Sequence, residues 1–307
     1  METRYFKTLL KVIETRSFSR AAEALYITQS AASQRIKLLE ETLGHKLVDR
    51  SGAELVPTPV GEFVALKASE IVEKENELLE ALKNVEGGKH LSLCCTPAFG
   101  TAFLPQVLNA FILKNADTED LKFVFSQPEQ AVQGLQNREF DLAVIEHCDD
   151  RDMSGLHTID LPPDELVFIS SPKAGLAEKL NIGDLLKLRL YARRDGCSSK
   201  QLLMNNLATQ RKTIDDFKKV VISDDLRLTI ETVKAGGGVS FISRNVVAPF
   251  AANGEVKLHY VEGFNHVRCR TIALKEDRKD DVLLQSFIEC VQEMFAGQSI
   301  DCAARCA

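Results

Sequence analysis

Apolar residues at Phe6, Leu9, Leu10, Val12 and Ile13 recur at helical spacing and predict an opening helix from about Arg4. The pattern stops at Ser17, Phe18 and Ser19, where Ser19 reads as the N-cap of a second, short helix, Arg20 to Leu25. Its Ala21, Ala22 and Ala24 are small enough to let another helix cross closely at a tight turn. Thr28 then caps a third helix that runs to about Leu43 and ends at Gly44 as a left-handed C′ residue. Ala32, Ile36, Leu39 and Leu43 share one face of it. Gln29, Ser30, Ser33, Gln34 and Lys37 share the other, with no acid before Glu40. Hydrogen-bonding side chains of that length suit base edges and phosphates in a major groove, so the three helices read as a helix-turn-helix. Any three-helix bundle also shows an apolar stripe and a polar back, and the polar face alone leaves that reading open. Leu47 to Val56 reads as two short strands around Ser51 and Gly52, a wing able to lay Arg50 along the adjacent DNA backbone or minor groove.

From Pro59 to Gly87 and Gly88 the chain has no glycine after Gly61, which predicts one long helix. Val64, Ala68, Ile71, Leu78, Leu82 and Val85 form a heptad seam, interrupted where Glu75 takes the slot between Ile71 and Leu78. Such a seam calls for a partner helix, or else for the chain's own body.

After Lys89 short apolar strands alternate with helices. Leu91 to Cys95, a helix Phe103 to Lys114, Lys122 to Phe125, a helix Gln127 to Asn137, and Leu142 to Ile145 form one set. A second set begins near Leu166 and passes through Leu188 to Ala192, a helix after Ser198, Lys219 to Ile222, a helix Leu226 to Lys234, and Val239 to Ile242. The chain returns through Arg270 to Leu274 and a helix Val282 to Phe295. This alternation argues for parallel sheets with crossover helices in two lobes, and the late return strand for two crossings between them, hence a cleft that opens and closes.

At 307 residues the chain has room for about two domains and a smaller module. Met1 leads straight into charged residues, and no apolar run is long enough for a secretory signal or a membrane span, so the expected location is the cytoplasm, away from any membrane. Eight cysteines without Cys-x-x-Cys spacing are too dilute for a disulfide scaffold and are expected as free thiols. The net charge is -6, but residues 1 to 62 carry nine Lys and Arg against eight Asp and Glu, a net of +1, while the remainder carries 29 against 36, a net of -7. The charge fits a small DNA-reading module on an acidic body, with modest, salt-sensitive nonspecific affinity.

The amino-terminal residues resemble the DNA-binding domain of the LysR-type transcriptional regulators. The family's Ser-Phe-x-x-Ala-Ala-x-x-Leu stretch stands as Ser17, Phe18, Ala21, Ala22 and Leu25, and its recognition-helix pattern as Gln29, Ser33, Ile36, Leu39 and Glu40. Leu43 with Gly44, Leu47 with Arg50, and Thr58 with Gly61 follow in order. Val48 replaces a usual Phe, Pro57 a usual Leu, and Ala53 and Glu54 a usually basic wing, which shifts DNA contact toward Arg50 and the recognition helix. Further on, Leu104 with Pro105, Phe140 through Val144, and Ala235 through Ile242 resemble segments of the family's effector domain.

The resemblance implies an α+β multidomain chain. A winged helix-turn-helix (residues 1–58) and a linker dimerisation helix (59–88) precede a two-lobed α/β effector domain (89–307) similar to type 2 periplasmic binding proteins. Lobe I is expected at 89–162 with 266–307 and lobe II at 163–265. It implies a homodimer or homotetramer that presents recognition helices to double-stranded promoter DNA through Gln29, Ser30, Ser33, Gln34, Lys37 and Arg50, with RNA polymerase as a further partner. No cofactor, metal or catalytic set is expected: no nucleophile elbow or Gly-Lys-Ser loop is present, and the glycines at 236 to 238 follow a helix rather than a strand. His147, Cys148, Asp149 and Asp150 could hold a metal only by folding back on one another, and Cys302 and Cys306 sit in a tail.

Effector candidates lie where strands end and helices begin, since helix N-termini offer free N–H groups to anions. They are Thr96, Ala98, Phe99 and Gly100 in lobe I, and Arg194, Cys197, Ser198 and Gly237 in lobe II. Thr96 and the Cys197 and Ser198 turn match family effector positions; Glu146 and His147 read as solvated loop residues. Arg193 and Arg194 beside a helix N-terminus point to an anionic small-molecule effector. Cys197 beside the same arginines resembles the reactive cysteine of peroxide-sensing members, which makes thiol redox sensing a minor alternative. Met204, Asn205 and Asn206 supply no partner thiol, and a small residue in place of the family's Ser is the favoured reading. Two other classes stay open at this point: a ligand-binding protein whose first helices only oligomerise, and an enzyme that uses the cleft.

Overall fold

The opening stripe forms α1 (Thr3–Thr15), which buries Phe6, Leu9 and Val12. Helix α2 (Phe18–Ala24) is capped by Ser17, whose hydroxyl accepts from the Arg20 amide, rather than by Ser19. The helix thus starts two residues earlier than its pattern predicts, because Phe18 packs into the core instead of marking a loop. Helix α3 (Gln29–Leu43) is capped by Thr28 and closed by Gly44 in the left-handed region, as expected. The wing consists of β1 (Val48–Asp49) paired antiparallel with β2 (Val56–Pro57), and its tip, including Ser51, Gly52, Ala53 and Glu54, lies outside the described residues. The computed structural model describes residues 2–50, 55–85, 89–116, 118–148 and 152–297, so Gly87, Gly88, Asp149, Asp150, Cys302 and Cys306 also fall outside.

One long helix, α4 (Pro59–Val85), follows. Its heptad seam divides. Ala68 is buried and Val64 half-buried in the core of α1 and α3, with Val72 rather than Ile71 as the next anchor. A straight helix drifts relative to a strict seven-residue repeat, and that drift moves the buried position from 71 to 72. Glu75 turns to α1, where its carboxylate lies 2.7 Å from Lys7 Nζ. Ile71, Leu78 and Leu82 are exposed, together with Phe63, Leu66 and Leu79; the side chain of Val85 lies outside the described set. Gly61 lets α4 touch the wing: a Cβ there would stand 1.9 Å from the Leu47 carbonyl oxygen.

The chain divides into two compact units, residues 1–88 with 137–139, and 89–136 with 140–307. The second begins with β3 (Lys89–Cys95), α5 (Pro97–Ala102), α6 (Leu104–Lys114), β4 (Thr118–Phe125), α7 (Pro128–Gln136), β5 (Leu142–His147) and β6 (Leu156–Ser170). Next come β7 (Lys179–Leu180), α8 (Ile182–Leu186), β8 (Arg189–Ala192), α9 (Ser198–Thr209), β9 (Lys219–Ile222), α10 (Leu226–Lys234), β10 (Val239–Ser243) and α11 (Arg244–Ala252). The unit ends with β11 (Lys257–Val261), β12 (Val267–Lys275) and α12 (Val282–Glu293).

The strands run in the order β4-β3-β5-β12-β6-β10-β8-β9. β3 is parallel to β4 and β5, and β8 to β9 and β10, as the alternation predicts. The middle is antiparallel: β12 pairs against both β5 and β6, and β6 against β10, so the sheet is mixed rather than parallel. Strand β6 bonds to β12 through its first half and to β10 and β11 through its second, so one strand serves both lobes. Lobe I packs α5, α6 and α12 on one face around Phe99, Phe111 and Phe287. Lobe II is built around Phe168, Leu190, Leu203 and Leu207, with Val167, Ile230 and Val247 in a second cluster.

Candidate functional site

In the first unit α3 buries Ala32, Ile36 and Leu39 and turns Gln29, Ser30, Gln34 and Lys37 to solvent, with Ser33 half-buried between. At the far end of this helix Glu40 is itself buried. Its Oε1 accepts from the amides of Leu47 at 2.9 Å and Val48 at 3.4 Å, and Oε2 from Lys46 Nζ at 2.9 Å. Burial alone would raise the Glu40 pKa, but Lys46 and the two amides outweigh it and hold the carboxyl below its usual range. This carboxylate ties the recognition helix to β1 and leaves Arg50 Nη2 3.8 Å away, while the Arg50 guanidinium lies 4.9 Å over the Phe18 ring. Arg50 is therefore aimed by Phe18 and Glu40 rather than swinging freely from the wing.

In the second unit a cavity of about 650 Å³ lies between the lobes. Thr96, Ala98, Arg194, Cys197 and Ser198 line it, so the strand-end rule brings these five together. Phe99, Gly100 and Gly237 are not on its wall. α5 turns Pro97, Ala98 and Thr101 to the cavity, which sends Phe99 into the lobe I core; Gly100 faces the Phe125 ring. Gly237 follows the C-terminal end of α10, where its Cα faces Thr232 and the Tyr191 hydroxyl, while it is the other end of α10 that meets the cavity.

Two further corrections and one refinement concern charge and thiols. Glu146 and His147 are buried on β5 rather than solvated. Arg193 and Arg194 share one carboxylate, Asp224, at 3.0 and 2.9 Å, so one of their two positive charges is offset and a net positive charge stays on the cavity wall. Cys94, Cys95, Cys148, Cys197 and Cys290 are free, but Cys269 is disulfide-bonded; cysteine count and spacing do not report which thiols the fold brings together.

Two arginines and two acids are buried together at the cavity wall, Glu146 and Arg268 on its lining and Asp164 and Arg270 behind it. Arg268 Nη1 donates to Ser198 Oγ at 2.7 Å and its Nη2 to Asp164 at 2.8 Å; Arg270 reaches Asp164 at 2.9 Å and Glu146 at 3.3 Å. Thr96 donates to Glu146, and Ser198 to the Glu146 carbonyl at 2.7 Å. The Arg270 guanidinium is sandwiched between Phe103 and Phe295, 5.0 Å from each ring. Burial would raise the Asp164 pKa, but Arg268 and Arg270 drive it below the usual carboxylate value. The set is charge-balanced, and it links effector candidates Thr96 and Ser198 to β6, the strand that serves both lobes, and to its neighbour β12. Sequence reading missed it because β12 spaces Arg268 and Arg270 two apart, so both face one side of an apolar strand with nothing to mark their partners.

The remaining wall has an apolar part, with Ala98, Tyr191, Leu226, Ile230, Ile242 and Phe250, a polar part with Ser126, Gln127 and Ser199, and the charged residues Asp225, Arg227 and Glu231. Gln127 Nε2 donates across the lobes to the Asp195 carbonyl at 2.6 Å. Ser126 and Gln127 follow β4 just as Thr96 follows β3, so the strand-end rule reaches them when applied to β4.

An exposed recognition face on a three-helix unit, followed in one chain by a two-lobed domain with an internal cavity, defines a DNA-binding regulator that carries a small-molecule-binding domain. Residues 3–62 match the bacterial regulatory helix-turn-helix proteins of the lysR family, and residues 85–296 match the LysR substrate binding domain. The chain belongs to the LysR family: it is a DNA-binding transcriptional regulator with an effector-binding domain, and not an enzyme. It is 27% identical over 94% of its length to an uncharacterized HTH-type transcriptional regulator of Methanocaldococcus jannaschii, 98% of which is covered. It is 23% identical to the HTH-type transcriptional activator CmpR of Synechocystis, with 92% of each chain covered. Among solved structures, CrgA, a LysR-type regulator from Neisseria meningitidis, shares the fold with a TM-score of 0.56 at 21% identity, over 96% of this chain and 99% of that one. Among the described residues no helix is long and apolar enough to cross a membrane.

Proposed function

We propose that the chain regulates transcription in the cytoplasm by docking Gln29, Ser30, Ser33, Gln34, Lys37 and Arg50 on promoter DNA, and that a small molecule held between the lobes sets its assembly shape. The observation that carries the DNA half is the exposed polar face of α3 with Arg50 braced beside it by Phe18 and Glu40. Homodimers or homotetramers are supported by the unpartnered apolar positions Phe63, Leu66, Leu78, Leu79 and Leu82 along α4. Effector binding rests on the cavity, with Thr96, Ala98, Arg194, Cys197 and Ser198 as the first contacts. With Asp224 offsetting one of the two charges of Arg193 and Arg194, an anionic effector is supported by the charge that remains and by the N-terminus of α9, whose N-cap Cys197 makes no side-chain capping bond. The bound regulator then acts on RNA polymerase.

Replacing Ser33, Gln34 and Arg50 together is expected to abolish sequence-specific DNA binding in a fluorescence anisotropy titration; unchanged binding overturns the DNA assignment. A ligand at 100 times its Kd adds roughly 2.7 kcal/mol to the native state, or about 5 to 10 °C in the melting midpoint of the ligand-binding unit. Thr96→Ala is expected to remove that shift, and a shift that survives it moves the effector away from the lobe I strand end.

A further inference from the structure

Tyr26 breaks a local rule at a telling place. The α2 helix closes with the Ile27 amide donating to the Ala22 carbonyl at 3.0 Å and the Tyr26 amide to the Glu23 carbonyl at 3.1 Å, a Schellman closure with Tyr26 at C′. That position requires the left-handed region, and Tyr26 has φ of +54°. Glycine adopts this conformation without penalty, whereas a side chain bearing Cβ is strained in it. A bulky residue retained there normally repays the strain through packing. Tyr26 does not, since 97% of its surface is exposed.

Tyr26 stands two residues before the Thr28 cap of the recognition helix, next to exposed Gln29 and Ser30. In helix-turn-helix docking the first residues of the recognition helix reach base edges, and the turn before it rides at the rim of the groove where the sugar-phosphate backbone runs. Resting on the DNA-binding reading above, we infer that Tyr26 is a backbone-anchoring residue: its phenol donates a hydrogen bond to a phosphate oxygen at the groove rim, and its ring lies against the adjacent sugar. The contact carries no sequence information and fixes the register of α3. A neutral phenol displaces no counterion, so its contribution differs from that of a lysine or arginine in being independent of salt.

The test uses the full-length chain and the duplex that wild-type protein enriches from a random-sequence DNA pool, titrated by anisotropy over a salt series. Tyr26→Phe keeps ring and strain and loses only the donor; its affinity is expected to fall about tenfold, equivalent to ~1.4 kcal/mol, with the log–log salt slope unchanged. Tyr26→Gly relieves the strain: its urea midpoint is expected to equal or exceed that of wild type while its affinity falls at least as far as that of Tyr26→Phe. Wild-type affinity in both variants overturns the proposal, as does a lowered urea midpoint in Tyr26→Gly, which would make Tyr26 a structural residue. Wild-type affinity in Tyr26→Phe alone overturns the phosphate donor. Failure of the wild-type chain to enrich any duplex over the Ser33, Gln34 and Arg50 triple variant overturns instead the DNA-binding reading beneath it.

Discussion

Arg268 directs both Nε, at 3.0 Å, and Nη2, at 2.8 Å, onto a single oxygen of Asp164, and both residues are almost wholly buried. Asp164 also takes Arg270 and the Ser243 hydroxyl on its other oxygen, so one carboxylate accepts from both buried guanidinium groups while Glu146 supplies the second negative charge. Asp164→Asn keeps the shape and removes the charge, and is expected to cost about 3–5 kcal/mol in urea unfolding. The carboxyl is held below its unfolded value, so the native state binds fewer protons than the unfolded state in acid. Its contribution is complete above the ordinary carboxylate pKa and is lost as pH falls through the depressed one; Asp164→Asn should flatten that acid limb.

Glu40 is the corresponding bracket in the first unit. Glu40→Ala leaves the Leu47 and Val48 amides without their acceptor and Arg50 without its nearby anion. The expected cost is about 1–3 kcal/mol of stability, with weaker binding of any duplex that uses Arg50. Chemical denaturation and anisotropy on the same preparation separate the two effects.

Gly61→Ala puts a methyl group 1.9 Å from the Leu47 carbonyl, against backbone that cannot rotate away. We expect α4 to be displaced from the wing at a cost of roughly 1–3 kcal/mol or more, seen as an early unfolding transition and lost DNA binding. A variant that melts as wild type would show that this approach is not required.

His259 is enclosed in lobe II with Nδ1 2.5 Å from the Ala177 carbonyl and Nε2 2.8 Å from Ser170 Oγ. Burial lowers its pKa, with the Ala177 carbonyl pulling weakly the other way. The unfolded state therefore takes up the proton first as pH falls through about 6.5, and stability declines below that point. Melting midpoints of wild type and His259→Gln over mildly acidic to neutral pH should converge as the pH drops.

The sequence made the amino-terminal unit legible because its constraints are local. Thr28 and Gly44 bracket α3 by chemistry that acts within a few residues, and Ala32, Ile36 and Leu39 report the buried face directly. The misplaced cap at Ser19 shows the limit: Ser17 and Ser19 are equal candidates until Phe18 is known to be core. In the second unit Thr96, Cys197 and Ser198 were found from strand ends, yet Glu146, Asp164, Arg268 and Arg270 were not. Their roles depend on three strands distant in sequence becoming neighbours, as in the pairing of Arg268 with Asp164 across β12 and β6. Helix α11 escaped notice because Pro249 sits inside it.

The sharing of β6 orders events during synthesis. Strands β8 to β11 and the helices between them are complete before β12 emerges, so lobe II can close on the second half of β6 while lobe I still waits for the strand between β5 and β6 and for α12 beneath it. A stalled nascent chain with residues up to about 265 outside the ribosomal tunnel, and β12 and α12 not yet emerged, should therefore show a protected amino-terminal unit and lobe II but a protease-sensitive lobe I.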